Sequence, residues 1–403
     1  LKVEKTMVAP SDRILTRISD AELRRRWDAV RRAMRERKID ALVLQSQSDW
    51  VSGYAKWFTD IPATNGYPRT VIFYADGPMT VIEMGPMGAE RDLKGEDALH
   101  RGVGEYLQTP SFFSIVYTHD YDATLAVASL KRHRHDTVGF VGKGALPHGL
   151  VARLTADLPK TAFVDATDLV DAIKAVKSEE EIALIRRCAQ MQDKIFAAVL
   201  KNIRPGLRDI DVAALADAEG LRLGSEQGIY LGGSSPVGVR SPFVPRFMQG
   251  RTLQQGDHLS LLIEVNGPGG MYTEIARTIV LGKASNELKD GFEAVREAQD
   301  YTLSLIKPGA KPRDIHLAHN AYMESRKLPP ELRLYAHGQG YDMVERPLIR
   351  SDETMPLAAG MNLAVHPGYE TPSIFAVICD NYLVEANGPS ACLHATEKKI
   401  FEI

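Results

Sequence analysis

The stretch that most constrains this chain runs from His258 to Gly282, HLSLLIEVNGPGGMYTEIARTIVLG. It reads as a β-hairpin: an apolar run to Glu264, a reversal at Asn266-Gly267-Pro268-Gly269-Gly270, and a return through Thr278 to Leu281. Both arms are rich in β-branched and aliphatic residues, and the glycines supply the positive-φ positions a tight reversal needs. Two carboxylates, Glu264 and Glu274, interrupt these apolar arms. A carboxylate facing a core is costly unless it is paired, hydrogen-bonded or metal-bound, whereas one on a solvated face needs no explanation. The hairpin alone leaves both readings open. A phosphate loop at Gly267–Gly270 is excluded, because a strand and not a helix start follows it.

The rest of the chain supplies the frame. Its 403 residues suit two or three domains, and a net charge of -3 with 25% charged residues describes an ordinary globular protein. No basic excess points to nucleic acid, and no apolar run is long enough to span a membrane. The polar stretch LKVEKTMVAPSD has no signal-peptide core, and Cys188, Cys379 and Cys392 are too few and too scattered for a disulfide framework. A cytoplasmic protein with a small-molecule partner is expected.

Ser19-Asp20-Ala21-Glu22 is a capping box that opens a helix to about Arg37, with Leu23, Trp27, Val30 and Met34 on one face. Strands are expected at Ala41–Gln45, Thr70–Tyr74, Met79–Met84, Val138–Val141 and Ala162–Asp165, with a weaker segment around Val116 and a helix near Leu150–Leu158. Strands alternating with helices indicate an α/β domain over residues 1–167. Ser178-Glu179-Glu180-Glu181 is a second capping box, launching a long helix to about Asn202 in a domain spanning 168–403. Helices at Ile210–Leu223, Asn286–Ile306 and Pro312–Arg326 follow, with the hairpin among them.

Three later segments carry reactive side chains: YAHGQGYD with His337, MNLAVHPG with His366, and FAVICD with Cys379. A histidine beside glycines can come close to a ligand, though singly each has a plain structural explanation. Together with the two glutamates they make a set of ligand-capable residues lying mostly on strands.

These residues resemble the creatinase, prolidase and aminopeptidase P superfamily, the pita-bread fold. TEIARTIVLG is similar to the family strand that carries a metal-binding Asp before an Arg-Thr pair. HGQGYDMVERP is similar to HGxGxxxHExP, GMNLAVHPG to the segment with a Glu ligand before Pro-Gly, and AVICDNYLV to the closing strand with the last Glu ligand. The resemblance implies an α+β chain: a pita-bread catalytic domain at the carboxy-terminal end, preceded by a creatinase-like α/β domain. It also implies a homodimer.

The chain departs from the family pattern. Where family peptidases hold two metal ions with Asp, Asp, His, Glu and Glu, the matching positions are Glu264, Glu274, His337, His366 and Cys379. The two glutamates lie one residue closer together than the usual aspartates. Val344 and Phe243 stand where two substrate-positioning histidines are expected, so the standard dinuclear site is lacking. Three chemistries follow for the five positions. They could ligate one divalent ion, zinc or iron in preference to manganese. Cys379 could act as a nucleophile with His366 and a glutamate. The histidines could work as acid and base, with one glutamate held protonated by its neighbour. Arg69, Arg240, Arg246 and Arg346, with Phe243 and Tyr341, are candidates for gripping an anionic substrate. The expected activity is hydrolysis of an amide- or amidine-type C–N bond in a small carboxylate-bearing molecule, as in creatinase. The alternatives are a lyase or hydratase related to the dimethylsulfoniopropionate lyases, an Xaa-Pro peptidase with an altered metal site, and a non-catalytic binding module.

Overall fold

The computed structural model describes residues 16–46, 53–63, 67–111 and 120–403. The chain divides into two compact units, Leu1–Lys174 and Ala175–Ile403. The expected strand near Val116 lies outside the described residues.

The first unit is built on a seven-stranded sheet. Its strands are β1 (Ala41–Ser46), β2 (Arg69–Tyr74), β3 (Met79–Met84), β4 (Glu90–Asp92), β5 (Val103–Thr109), β6 (Thr137–Phe140) and β7 (Ala162–Asp165), in the order β4-β5-β3-β2-β1-β6-β7. Helices α1 (Asp20–Glu36), α2 (Tyr54–Thr59), α3 (Tyr121–Lys131), α4 (His148–Asp157) and α5 (Thr167–Lys174) accompany it. Ser19 caps α1 through the Glu22 amide, while the Glu22 carboxylate turns to Arg25 and Arg26. Helix α5 packs on α1 and lies in the first unit.

The second unit begins with α6 (Glu179–Asn202), whose capping box closes in both directions between Ser178 and Glu181, and α7 (Asp209–Leu223). A four-stranded sheet follows from β8 (Gly228–Ser235), β9 (His258–Asn266), β10 (Tyr272–Val280) and the terminal strand β18 (Phe401–Glu402), in the order β18-β10-β9-β8. After α8 (Asn286–Leu305) and α9 (Pro312–Ser325) come β11 (Ala336–Gly338), β12 (Glu345–Leu348), β13 (Asn362–Val365), β14 (Gly368–Glu370), β15 (Phe375–Val377), β16 (Asp380–Glu385) and β17 (Gly388–Pro389). Five of these form a second sheet, β12-β11-β13-β16-β17.

The opening hairpin is the central pair, β9 and β10, and every residue of both strands is buried. Side chains alternate between the two faces of a strand. Leu259, Leu261, Ile263, Val265, Ile275 and Ile279 pack into one core with residues of α6 and α7. The other face carries Leu262, Glu264, Glu274 and Ala276. Gly269 and Gly270 hold φ of 96° and 88° in the turn, values that favour glycine. The resulting register sets Glu264 directly opposite Glu274 and Leu262 opposite Ala276. The shortened separation of the two glutamates thus makes them cross-strand neighbours.

Two contacts bring this face to the second sheet. Ala276 and Cys379 form an isolated antiparallel bridge, and the Tyr272 amide donates to the Gly340 carbonyl at 2.7 Å. Strands β11 and β16 then bring His337 and Asn381 to the hairpin, and His366 directly follows β13.

Candidate functional site

Glu264 and Glu274 are 6% and 4% exposed, and what surrounds them decides their charge. Gln339, between the two glycines of HGQG, donates its amide to Glu264 Oε1 at 2.9 Å and to Glu274 Oε2 at 3.4 Å. That amide is oriented in turn. Asn381 Nδ2 donates to Gln339 Oε1 at 2.8 Å and to Asn362 Oδ1 at 3.2 Å, while Asn381 Oδ1 accepts from the Glu274 amide at 2.7 Å. Asn362 closes the set by donating to the Gln339 carbonyl at 3.2 Å. Burial first, and the facing Glu274 second, push Glu264 well above the ordinary carboxylate range, against the opposing pull of the Gln339 amide.

His337 lies across from this pair, its Nε2 3.7 Å from Glu274 Oε2. Its Nδ1 is 3.0 Å from the Gly338 carbonyl, which can only accept, so in the neutral ring Nδ1 carries the hydrogen and Nε2 the lone pair. The His366 ring stands edge-on to it, with centroids 5.1 Å apart. Burial lowers His366 to about 4, leaving it neutral near pH 7. It keeps some exposed surface, yet its Nε2 is buried without a hydrogen-bond partner among the described residues.

Ligand atoms of Glu274, His337 and His366 all lie within 4.8 Å of one another. This trio, with one imidazole nitrogen orphaned and the other imidazole fixed by a backbone carbonyl, fits a single divalent ion. A two-ion set does not fit. Gln339 places amide hydrogens on both Glu264 and Glu274, where a cation would otherwise draw the carboxylates.

Cys379 is fully buried. It joins neither the histidine pair nor the ligand trio. Its thiol donates to the Glu274 carbonyl at 3.5 Å within a small cluster of Leu262, Ala276 and Ala364. Burial and Glu274 raise it well above the ordinary thiol range, which disfavours the thiolate that a nucleophile needs.

The substrate-gripping candidates also look different in place. Arg69, in the first unit, is taken up by Glu83 and the Ile61 and Pro62 carbonyls. Arg346 clasps Glu353 and reaches Thr354. Arg240 pairs with Glu370 at 2.7 Å on the surface, and Arg246 stands exposed, 4.0 Å from Asp217. Phe243 packs edge-on against Phe375 beside the Cys379 cluster, and Tyr341 is buried. The glycines of HGQG serve the fold: a side chain at Gly338 would strike the Arg346 carbonyl, and one at Gly340 the Glu345 carboxylate. The sequence reading missed Gln339, Asn362 and Asn381. Only the position of each beside a flagged residue could have drawn attention to it.

A buried carboxylate pair on a hairpin, met by two histidines from a second sheet, places the chain among the pita-bread hydrolases. Residues 183–386 match metallopeptidase family M24, and the chain belongs to that family. The Xaa-Pro dipeptidase of Pyrococcus horikoshii is 26% identical over 264 residues, 64% of this chain and 73% of that protein. The uncharacterized hydrolase/peptidase y4tM of Sinorhizobium fredii is 26% identical over 390 residues, 92% of this chain and 95% of its own length. Among solved structures, the Thermococcus sibiricus prolidase superposes with a TM-score of 0.77 at 16% identity, covering 96% of this chain and all of that one. Dipeptidase PepE of Mycobacterium ulcerans gives 0.75 at 20% identity, with coverage of 96% and 100%. At such identities the structural likeness shows the fold alone. No helix among the described residues is long and apolar enough to cross a membrane.

Proposed function

We propose that this chain hydrolyses an amide-type C–N bond in a small, carboxylate-bearing molecule, at the cluster of Glu264, Glu274, His337 and His366. The observation that carries this reading is the bracket formed by Gln339 on the two opposed carboxylates, which supports a site different from a two-ion peptidase centre. Cleaving a C–N bond requires a proton for the departing nitrogen. Burial and the facing Glu274 raise Glu264 well above the ordinary carboxylate range, and it is the general acid of this scheme. Gln339, oriented by Asn381, keeps the acid in place as its proton leaves and stabilises the charge that remains. His366, neutral and with a lone pair unclaimed, accepts a proton or a ligand bond.

If Glu274, His337 and His366 hold a divalent ion, it would supply a Lewis acid for the scissile carbonyl and lower the pKa of bound water. Two imidazoles with one carboxylate favour zinc or iron over manganese. The names of the relatives favour a second reading, in which the C–N bond is that of an Xaa-Pro dipeptide. Turnover of purified protein on matched panels of Xaa-Pro dipeptides and non-peptide amides of small carboxylic acids separates the two. Preference for the non-peptide amides supports the first reading. Activity confined to Xaa-Pro dipeptides replaces it with the second, and no hydrolysis of either panel would count against both. The homodimer implied by the resemblance and the cytoplasmic location expected from the scattered cysteines belong to this proposal, and sedimentation would test the dimer.

A further inference from the structure

Three side chains unused by this chemistry converge at the start of β16. Asp380 opens the strand, and Cys392 and His394 lie on the irregular stretch between β17 and β18. A carboxylate oxygen, a thiol sulfur and a ring nitrogen of these residues lie within 4.8 Å of one another. Asp380 and His394 are 0% and 5% exposed, and Cys392 is half-buried. Arg277 Nη2 donates to Asp380 Oδ1 at 2.7 Å. The second oxygen, Oδ2, is buried without a hydrogen-bond partner among the described residues, and so is His394 Nδ1. Two buried polar atoms side by side without hydrogen-bond partners are costly unless something lies between them.

The state of His394 is set from the far side of its ring. Gln192 on α6 donates its amide to the Thr273 carbonyl at 2.6 Å and the Val265 carbonyl at 3.3 Å. Its Oε1 therefore faces His394 Nε2, 2.9 Å away, as an acceptor. Nε2 is committed to Gln192 as a donor, so Nδ1 is the nitrogen that faces Asp380, whose Oδ1 is 3.4 Å off. An imidazole with one N–H anchored to an amide oxygen and the other nitrogen turned to a carboxylate and a thiol is oriented as metal ligands are.

We infer that Asp380, Cys392 and His394 form a site for one divalent ion of the zinc class, separate from the Glu274, His337 and His366 trio. Thiolate, imidazole and carboxylate are the donor types zinc takes. With Arg277 kept on Oδ1, the carboxylate and thiolate offset two of the three positive charges that the guanidinium and the ion bring together. Burial and Asp380 push the Cys392 thiol up to about 12, opposed by the His394 backbone amide and then by Lys398 and Arg277. Without the ion the sulfur keeps its proton. On binding, the S–H bond gives its proton to solvent and the sulfur lone pair goes to the metal. The ion would fasten the irregular segment to β16. Through Gln192 it would brace the carbonyls adjoining Glu264 and Glu274.

Cobalt(II) tests this in full-length protein stripped of metal, because cobalt thiolates absorb in the near ultraviolet by sulfur-to-metal charge transfer. The Glu274 trio contains no sulfur. Wild-type protein should develop this absorption with one equivalent of cobalt. Cys379→Ser and Glu274→Gln should retain it, Cys392→Ser should lose it, and Gln192→Leu should weaken cobalt binding ~10- to 100-fold. No charge-transfer band in wild type, or a band that survives Cys392→Ser, would overturn the assignment. Should Cys392→Ser fail to fold by circular dichroism, alkylation of Cys392 in wild-type protein decides. Added zinc should slow it, and an unchanged rate refutes the site.

Discussion

Replacing Glu264 with Gln puts a permanently neutral amide where burial and Glu274 hold the wild-type carboxyl well above its ordinary range. The isostere keeps an oxygen for Gln339 and adds an N–H that can donate to Glu274, so packing changes little. The consequence lies in how stability depends on pH. A carboxyl raised above its ordinary 4.5 binds more proton folded than unfolded, so wild-type stability is full below about pH 4.5 and declines as pH rises toward the folded value. For one proton the decline reaches at most about 1.4 kcal/mol per pH unit. Glu264→Gln removes it. Chemical denaturation of metal-free protein at pH 5, 6 and 7 should show the variant gaining on wild type with each step, by up to that amount. The proton belongs to the coupled pair, so the measurement reads the pair and not one oxygen. A difference between variant and wild type that stays constant with pH would mean both carboxylates are ionised, and the acid role of Glu264 would fail.

Removing the bracket itself should be costly. Gln339→Leu strips amide donors from both buried carboxylates, a loss of about 1–3 kcal/mol in denaturant unfolding; a neutral result would show that water replaces the amide. Cys379→Ser should retain turnover, since the thiol is buried and protonated, and complete loss of activity in a folded variant would restore the nucleophile reading. Gly269→Ala should destabilise the hairpin by roughly 1–3 kcal/mol, because φ of 96° is strained for alanine and the new methyl meets Leu184. An unchanged melting temperature would contradict that account of the turn.

The hairpin, the capped starts of α1 and α6, and the boundaries of α7, α8 and α9 were legible because each rests on local signals: alternation, a capping residue, a glycine at a reversal. Strand β8, GIYLGGSS, was not, since its glycines weaken the strand pattern and only pairing with β9 makes it a strand. Strand β5 and helix α3 likewise escaped notice. At the site, the charged and imidazole residues stood out as costly groups in apolar surroundings. The amides of Gln339, Asn362 and Asn381 carry no such mark, and their role arises from three strands meeting. The arginines misled for the complementary reason. A guanidinium in sequence looks available, while in the fold Arg69 and Arg346 are taken up by nearby carboxylates and carbonyls.

The most direct test of the hydrolytic centre is kcat/KM of Glu274→Gln on whichever amide the wild-type protein cleaves. Glu274 alone touches every part of the cluster, facing Glu264 across the strands, receiving Gln339 and approaching His337. Loss of roughly 10²- to 10⁴-fold with the fold intact is predicted. A folded variant that keeps the wild-type kcat/KM would place the chemistry elsewhere.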